Sequence, residues 1–172
     1  MSTNYEKTES MLDYLKCVEI SIKSDFLHAD KSEGFIFRSV NDKDKNNLHV
    51  VKLDGVVAGV AVVRDINKEE QKMFKKLQPE QDALIVDKLV IKSWHRNLGL
   101  GTGLVDFISH TYQTQPLYAI VRVEPDKNIF ASKIFDKLGF KVIMQADYFN
   151  KDFNDQATWA LYKREKTQQE QE

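Results

Sequence analysis

Three of the seven glycines in this 172-residue chain fall within five positions, at Gly99, Gly101 and Gly103. They separate two segments of different period. Before them, Ala83 to Ile91 reads as an apolar strand interrupted only by Asp87 and Lys88. After them, Leu100, Leu104, Phe107, Ile108 and Thr111 form one stripe of a helix running to about Gln113. A further strand follows at Leu117 to Val123. A strand, a glycine turn, a helix and a strand in this order call for a mixed α/β (α+β) domain built on one central sheet.

The rest of the chain supplies more elements of that kind. Leu48 to Leu53 and Val56 to Arg64 are valine-rich strands joined by Asp54-Gly55, the pair that a two-residue type I′ turn prefers. Asn67 to Leu77 reads as a short helix with Met73, Phe74 and Leu77 on one face, ended by Pro79. Asn128 caps a helix whose buried stripe is Ala131, Ile134, Phe135 and Leu138, and Gly139 closes it. Lys141 to Ala146 and Thr158 to Tyr162 are the last strands. At the front, Met11, Tyr14, Leu15 and Val18 follow helical spacing, and Thr3 to Glu6 has the spacing of a capping box. No first strand is evident there. Phe35 to Arg38 fits a short strand or a helix end, and Asn41 to Asn47 is a charged loop. Residues 1–164 are expected to form a single domain and 165–172 a disordered tail, within a charged, Gln-rich end that begins at Lys163.

Composition narrows the classes. Twenty-five Lys+Arg balance 26 Asp+Glu, which argues against a strongly basic nucleic-acid binder. The single cysteine, Cys17, excludes an intramolecular disulfide framework and a cysteine-based zinc site, and the four histidines show no metal spacing. The polar start lacks the apolar core of a signal peptide, and runs such as Val56 to Val63 are too short to span a bilayer. These features fit a cytoplasmic protein with no membrane partner and no metal.

A glycine turn that opens a helix is where an anion binds. The first helical N–H groups have no intrahelical acceptor and carry partial positive charge, and glycine lets a phosphate approach the backbone. Arg96 adds a formal charge. A P-loop would need Gly-Lys-Ser/Thr, but Gly101 is followed by Thr102 and Gly103. A dinucleotide fingerprint would need GxGxxG, but the glycines read GxGxG. What remains is R-x-x-G-x-G at Arg96, Gly99 and Gly101.

With that motif the sequence resembles the GNAT superfamily of acyl-CoA-dependent N-acyltransferases. The strand end Leu89-Val90-Ile91 stands before the arginine as in the family. Asn128, Ala131, Phe135, Gly139 and Phe140 follow its N-x-x-A-x-x-x-Y-x-x-x-G-F block. The resemblance covers roughly residues 48 to 162. It implies a mixed, mostly antiparallel sheet flanked by helices, with splayed parallel strands around 84–91 and 117–123. It implies acetyl-CoA as co-substrate and direct transfer to an amine of a small molecule or protein. It also assigns the cofactor's contacts. The pyrophosphate rests on the turn, here Asn97, Leu98, Gly99, Leu100, Gly101 and Thr102, beside Arg96. The pantetheine arm pairs with Leu89, Val90 and Ile91 and touches Asn128.

The transfer chemistry needs a route for the amine's proton, since a lysine-like amine has a pKa near ~10.4. The leaving thiolate can use a proton donor. The family often places a tyrosine where Phe135 stands, and phenylalanine cannot donate. A thiol of pKa ~8.5 can nevertheless leave with little help. Asp87 is the first candidate base; by period-two alternation it shares a face with Ile85, Leu89 and Ile91. A salt-bridged aspartate is the plain alternative. Histone-type members carry a glutamate base at the position of Ile85. Glu124 is a second candidate base, and Tyr118 and Tyr148 are candidate donors; their alternatives are a solvated charge and ordinary packing. Asp147, Asp152 and Asp155 could attract a cationic acceptor, with a solvated loop as the alternative. Two rivals stay open: a CoA-binding regulatory module without turnover, and a nucleotide-binding domain of another kind.

Overall fold

The computed structural model describes residues 1–22, 46–150 and 154–167. Its elements are β1 (Thr3–Thr8), α1 (Met11–Ile22), β2 (Asn46–Leu53), β3 (Val56–Asp65), α2 (Lys68–Met73), β4 (Leu84–Ile91), α3 (Leu100–Thr111), β5 (Leu117–Glu124), α4 (Ile129–Lys137), β6 (Lys141–Asn150) and β7 (Asp155–Arg164). A short 3₁₀ turn at Ser93–His95 follows β4. One mixed sheet takes the order β1-β2-β3-β4-β5-β7-β6. The β4–β5 pair is parallel, whereas β1–β2, β2–β3, β5–β7 and β6–β7 are antiparallel. The chain packs as two compact units, Met1–Arg64 with Asp87–Ile108, and Asp65–Val86 with Ser109–Glu172.

In the first unit the hairpin forms as its sequence demands. Asp54 and Gly55 have φ of 47° and 81°, the two left-handed residues of a type I′ turn. The register slips between Val51 and Lys52, which pair with Gly59 and Val57, so Ala58 is an extra residue on β3. Tyr14, Cys17 and Ile20 of α1 pack on Leu48, Val50, Val57, Val60, Val62 and Val90. On the alternate residue of β2, the buried His49 ring stands edge-on to Phe107 of α3, centroids 6.2 Å apart.

The N-terminus differs from the sequence expectation. Thr3 to Glu6 is no capping box: Thr3–Thr8 is an edge strand, paired from Thr3–Leu53 to Thr8–Leu48. Its polar side chains carry no apolar alternation because the pairing is made by the backbone. Ser10 is the residue that caps α1, its Oγ accepting from the Asp13 N–H at 3.4 Å. The buried stripe of α1 is also rotated. Met11 and Leu15 are exposed, while Asp13, Tyr14, Cys17 and Ile20 are buried. Asp13 is tolerated there because Lys52 Nζ lies 2.8 Å from its Oδ2, and Thr8 Oγ1 donates to the same oxygen at 2.7 Å. Burial pushes the Cys17 thiol up to about 12, with the Asp13 charge adding to it, so Cys17 is a packed small residue.

His49 makes this unit acid-sensitive. Burial holds its imidazole down to about 4, against a hydrogen bond to the Asn47 carbonyl that favours the charged form. The folded pKa lies below the unfolded one, so the unfolded chain binds the extra proton. The stability owed to a neutral His49 is therefore present above ~pH 6.5 and lost as pH falls toward 4, by up to about 3 kcal/mol. Urea unfolding at ~pH 7.5 and ~pH 5 checks this: His49→Gln is expected to lose clearly less stability over that interval than the wild type.

In the second unit Asn67 caps α2 through a full capping box. Its Oδ1 accepts from Glu69 and Glu70 N–H at 2.8 and 3.1 Å, and Glu70 Oε2 accepts from Asn67 N–H at 2.7 Å. The helix is shorter than expected, ending at Met73, and Phe74 and Leu77 leave it as turn residues. They pack with Ala83, Ile85, Tyr118 and Leu161. α4 is capped as read, Asn128 Oδ1 accepting from the Ala131 N–H at 3.0 Å; of the expected stripe Ile134 and Phe135 are buried, whereas Ala131 and Leu138 are half-buried and Ser132 is buried beside them. The last two strands are longer than expected and take in most of the 146–157 segment that had read as a loop. Lys163 likewise lies in β7 rather than in a tail. Phe35 to Arg38, most of the 41–47 loop, Asp152 and residues 168–172 lie outside the described residues.

Candidate active site

The glycine turn keeps its promise as local geometry. Asn97 and Gly99 both adopt left-handed backbone, with φ of 65° and 77°. The first bond of α3 is donated by the Gly103 N–H to the Gly99 carbonyl at 2.9 Å. The amides from Gly99 to Thr102 therefore precede the helical ladder and have no intrahelical acceptor. Among the described residues, its chain neighbours apart, no atom lies within 4 Å of a Cβ built on Gly99. The turn thus presents donors, the positive end of a twelve-residue helix and open space at one place. Arg96 folds back, its Nε donating to the Ile91 carbonyl at 3.3 Å, which ties the end of β4 to the start of the turn. Gly103 has a different job: the hydroxyl end of Tyr5 on β1 occupies the space its Cβ would need. Leu98 and Trp94 are exposed at 57 % and 71 %. Lys92 Nζ lies 6.0 Å from the Trp94 ring centroid.

Strand β4 departs from simple alternation. Lys88 has φ of 54°, a left-handed residue inside a strand, and Asp87, Lys88 and Leu89 are all half-buried between buried Val86 and Val90. The period-two assignment of Asp87 to the face of Leu89 and Ile91 therefore fails: the pleat is broken between them. Burial holds the Lys88 ammonium below its ordinary value, with the Asp87 charge opposing. Asp87 itself is ion-paired. Its Oδ2 accepts from Arg64 Nε at 3.1 Å and from Arg64 Nη2 at 2.9 Å. Any proton-accepting role falls to its other oxygen, Oδ1. Arg64, which sequence reasoning did not single out, is thus the residue that orients this carboxylate.

In the second unit the remaining candidates are not gathered into one cluster. Tyr118 is buried, and its hydroxyl donates to Glu80 Oε2 at 2.8 Å. Lys163 Nζ lies 2.7 Å from Glu80 Oε1. Burial alone would raise Glu80, but the bonds from Lys163 and Tyr118 outweigh it and hold the carboxyl down to about 2. Burial and the bond to Glu80 push Tyr118 up to about 12. This group is a bonded pin between β5, β7 and the segment after α2. Tyr148 Oη lies 3.5 Å from Glu69 Oε2. Glu124 is exposed at the end of β5. Of the acidic residues read as acceptor attractors, Asp155 is paired with Arg122, and Asp147 accepts from Thr158 Oγ1 at 2.5 Å. Phe135 is buried at 3 % exposure, edge-on to Phe140 at 5.0 Å and 5.9 Å from the Tyr162 ring. Asn128 spends its side-chain carbonyl on the cap of α4, which leaves its amide nitrogen as the donor end.

Among the described residues, no group of three or more His, Cys, Asp or Glu could hold a metal ion. No described helix is long and apolar enough to cross a membrane.

Comparison with known proteins gives a consistent set of likenesses. The sequence profile described as "Acetyltransferase (GNAT) family" matches residues 11–140. Among curated proteins, none matches the chain. Several solved structures share the fold. A GNAT-family acetyltransferase from Bacillus cereus superposes with a TM-score of 0.71 at 17% identity, covering 98% of this chain and 100% of that one. The ribosomal-protein-S18-alanine N-acetyltransferase of Escherichia coli gives 0.68 at 15%, covering 94% and 92%. The yncA protein of Salmonella typhimurium, solved with its cofactor acetyl-CoA, gives 0.67 at 14%, covering 99% and 98%.

Proposed function

Because the chain belongs to the GNAT acetyltransferase family, we propose that it moves an acetyl group from acetyl-CoA directly to an amine of a small molecule or protein. The observation that carries this reading is the turn itself. Two left-handed residues, a helix start with unpaired amides and open space over Gly99 follow directly on β4. These residues fit a diphosphate: Asn97 to Thr102 supply backbone donors, and Arg96 supplies a charge. Leu89, Val90 and Ile91 would hold the pantetheine arm along β4. When bound, acetyl-CoA supplies an activated acyl group whose thiol is a good leaving group.

The residues of the chain then have limited tasks. A strand N–H in β4 can donate to the thioester carbonyl and favour the charge that develops there. Asp87, fixed by Arg64 through one oxygen, can take the amine's proton on the other, directly or through water. Asp87→Asn is expected to lower kcat about 10- to 100-fold while the Kd for acetyl-CoA stays within about twofold. Since the same change weakens the bond to Arg64, a melting curve must accompany the kinetics. Wild-type turnover across the pH range in a folded variant would remove Asp87 from the mechanism and return it to a structural ion pair.

Thermal shift with acetyl-CoA, CoA, ATP and NAD tests the cofactor. Stabilisation by both CoA species is expected. A response to ATP or NAD without one to CoA would overturn the reading. Thiol release from acetyl-CoA across an amine panel then tests turnover; binding without release by any amine would favour a regulatory CoA-binding module.

A further inference from the structure

Strand β6 stands last in the strand order and lies wholly in the second unit. Among the described residues it pairs only with β7. The backbone N–H and C=O groups along its outer side therefore face no further strand, which makes that side a template for one. The two edges of the sheet carry different side chains. On β1, at the other end, the exposed residues are Thr3, Asn4 and Lys7, all polar. β6 is ten residues long, contains no proline, and exposes Val142, Ile143 and Phe149 at 45 %, 43 % and 45 %. Its charges are Lys141, at the very start, and Asp147. Soluble chains ordinarily blunt an edge with charge, proline or shortness. A long strand that carries large apolar side chains on its open edge is suited to being covered by another strand.

The residue pattern says which strand. The register with β7 is continuous from Met144–Leu161 to Asn150–Asp155, after the irregularity between Val142 and Met144. Met144 to Asn150 can thus pair with an antiparallel neighbour. When two copies of one strand pair about a two-fold axis, each residue meets the one equally far on the other side of the centre, and opposite residues share a face. Centring on Asp147 would set two carboxylates against each other, which is destabilising. Centring on Gln145 would set Asp147 against Ile143, and centring on Tyr148 would set it against Phe149. Centring on Ala146 avoids all three. Asp147 then meets the Gln145 amide, Met144 meets Tyr148, and Ile143 comes beside Phe149. The apolar side chains that β6 exposes cover one another, and no like charges are opposed.

We propose that β6 is a dimer edge, on which a second copy of this chain adds its own β6 antiparallel, centred on Ala146, so that two sheets join into one. Such a contact is at the small end of specific interfaces, so a Kd of roughly micromolar order is expected. The pairing owes nothing to acetyl transfer and stands whether or not the chain binds CoA.

Sedimentation equilibrium of the full chain from about 1 to 300 µM tests it, and the wild type is expected to pass from monomer to dimer over that range. Ile143→Lys and Phe149→Lys each put a charge on the edge at an exposed position, and each enters the interface twice. Each is expected to weaken dimerisation at least about 10-fold with the circular dichroism spectrum unchanged. Ala146→Cys reads the register. Opposed Cα atoms of antiparallel strands lie about 4.5–5.5 Å apart, a span that a disulfide bridges. The native Cys17 is buried and does not compete. Ala146→Cys is expected to form a disulfide dimer under mild oxidation, whereas Asp147→Cys, whose two copies would lie roughly 8 Å apart, is not. If Ala146→Cys melts early, Gln145→Cys mixed with Asp147→Cys replaces it, since these two positions oppose each other. A monomer at every concentration would overturn the proposal. So would a dimer that both lysine variants leave intact, or one that cross-links in another register.

Discussion

Replacing Gly99 with aspartate is expected to weaken CoA binding about 100-fold while the protein still folds. The Gly99 backbone is left-handed at φ 77°, a conformation that aspartate tolerates better than most residues, and its Cβ direction is empty to 4 Å. The fold therefore has room for the side chain. The ligand does not, because that empty volume is where the diphosphate would lie. A carboxylate about 5 Å from a phosphate charge costs about 3 kcal/mol at an effective dielectric constant near 20, and it also opposes the helix's positive end. About 3 kcal/mol corresponds to roughly 100-fold in Kd. Gly99→Ala separates the two contributions: it keeps the backbone strain, about 1 kcal/mol, without the charge. Isothermal titration showing unchanged affinity for Gly99→Asp would remove the turn as the phosphate seat.

Gly59→Val is expected to cost at least about 3 kcal/mol of stability, the largest loss from any single glycine substitution in the first unit. A Cβ at Gly59 would collide with Ile91 Cδ1 and lie 3.0 Å from Val51 Cγ1 and 3.1 Å from the Val90 carbonyl. The Ile91 tip can turn aside, but a backbone carbonyl in mid-strand cannot. Overpacking of this kind costs about 1–3 kcal/mol even before the branched side chain is accommodated. For a chain of this length about 3 kcal/mol lowers the melting temperature by roughly 6–12 °C. A melting temperature within ~2 °C of wild type would show that β3 and β4 approach one another less closely here than described. Since Ile91 is also assigned to the cofactor arm, the same variant is expected to lose CoA affinity even below its melting point. Gly103→Ala is the milder contrast, because only the flexible end of Tyr5 must give way.

How much of this was legible in the sequence depended on whether the signal was local. The Asp54-Gly55 turn, the Asn128 cap and the glycine turn are written within a few residues, and each forms where it was read. Strand β1 was missed because an edge strand can be polar throughout: Thr3 to Thr8 gains its place from backbone pairing with β2, which has no compositional signature. The stripe of α1 was misjudged for a related reason. Asp13 reads as a surface residue until Lys52 and Thr8, on other strands, arrive to satisfy it.

The candidate site divides along the same line. The glycine turn was legible because a helix start and its glycines are contiguous. The settings of the candidate catalytic groups were not, because they depend on distant partners. Asp87 is an isolated carboxylate in sequence, but an Arg64-bound one in the fold, 23 residues apart. Tyr118 is a free phenol in sequence, but is held by Glu80, 38 residues away. Alternation along β4 misled because it assumes a continuous pleat, and Lys88 breaks it with a left-handed residue that its side chain gives no reason to expect.

The central claim is that the backbone of the glycine turn holds the diphosphate of acetyl-CoA. Amide chemical shifts followed by NMR during a CoA titration test it most directly. The amides of Asn97 to Thr102 are expected to show the largest movements, and inorganic pyrophosphate is expected to move the same amides at higher concentration. Saturable CoA binding that leaves the amides of Asn97 to Thr102 unmoved would contradict the account.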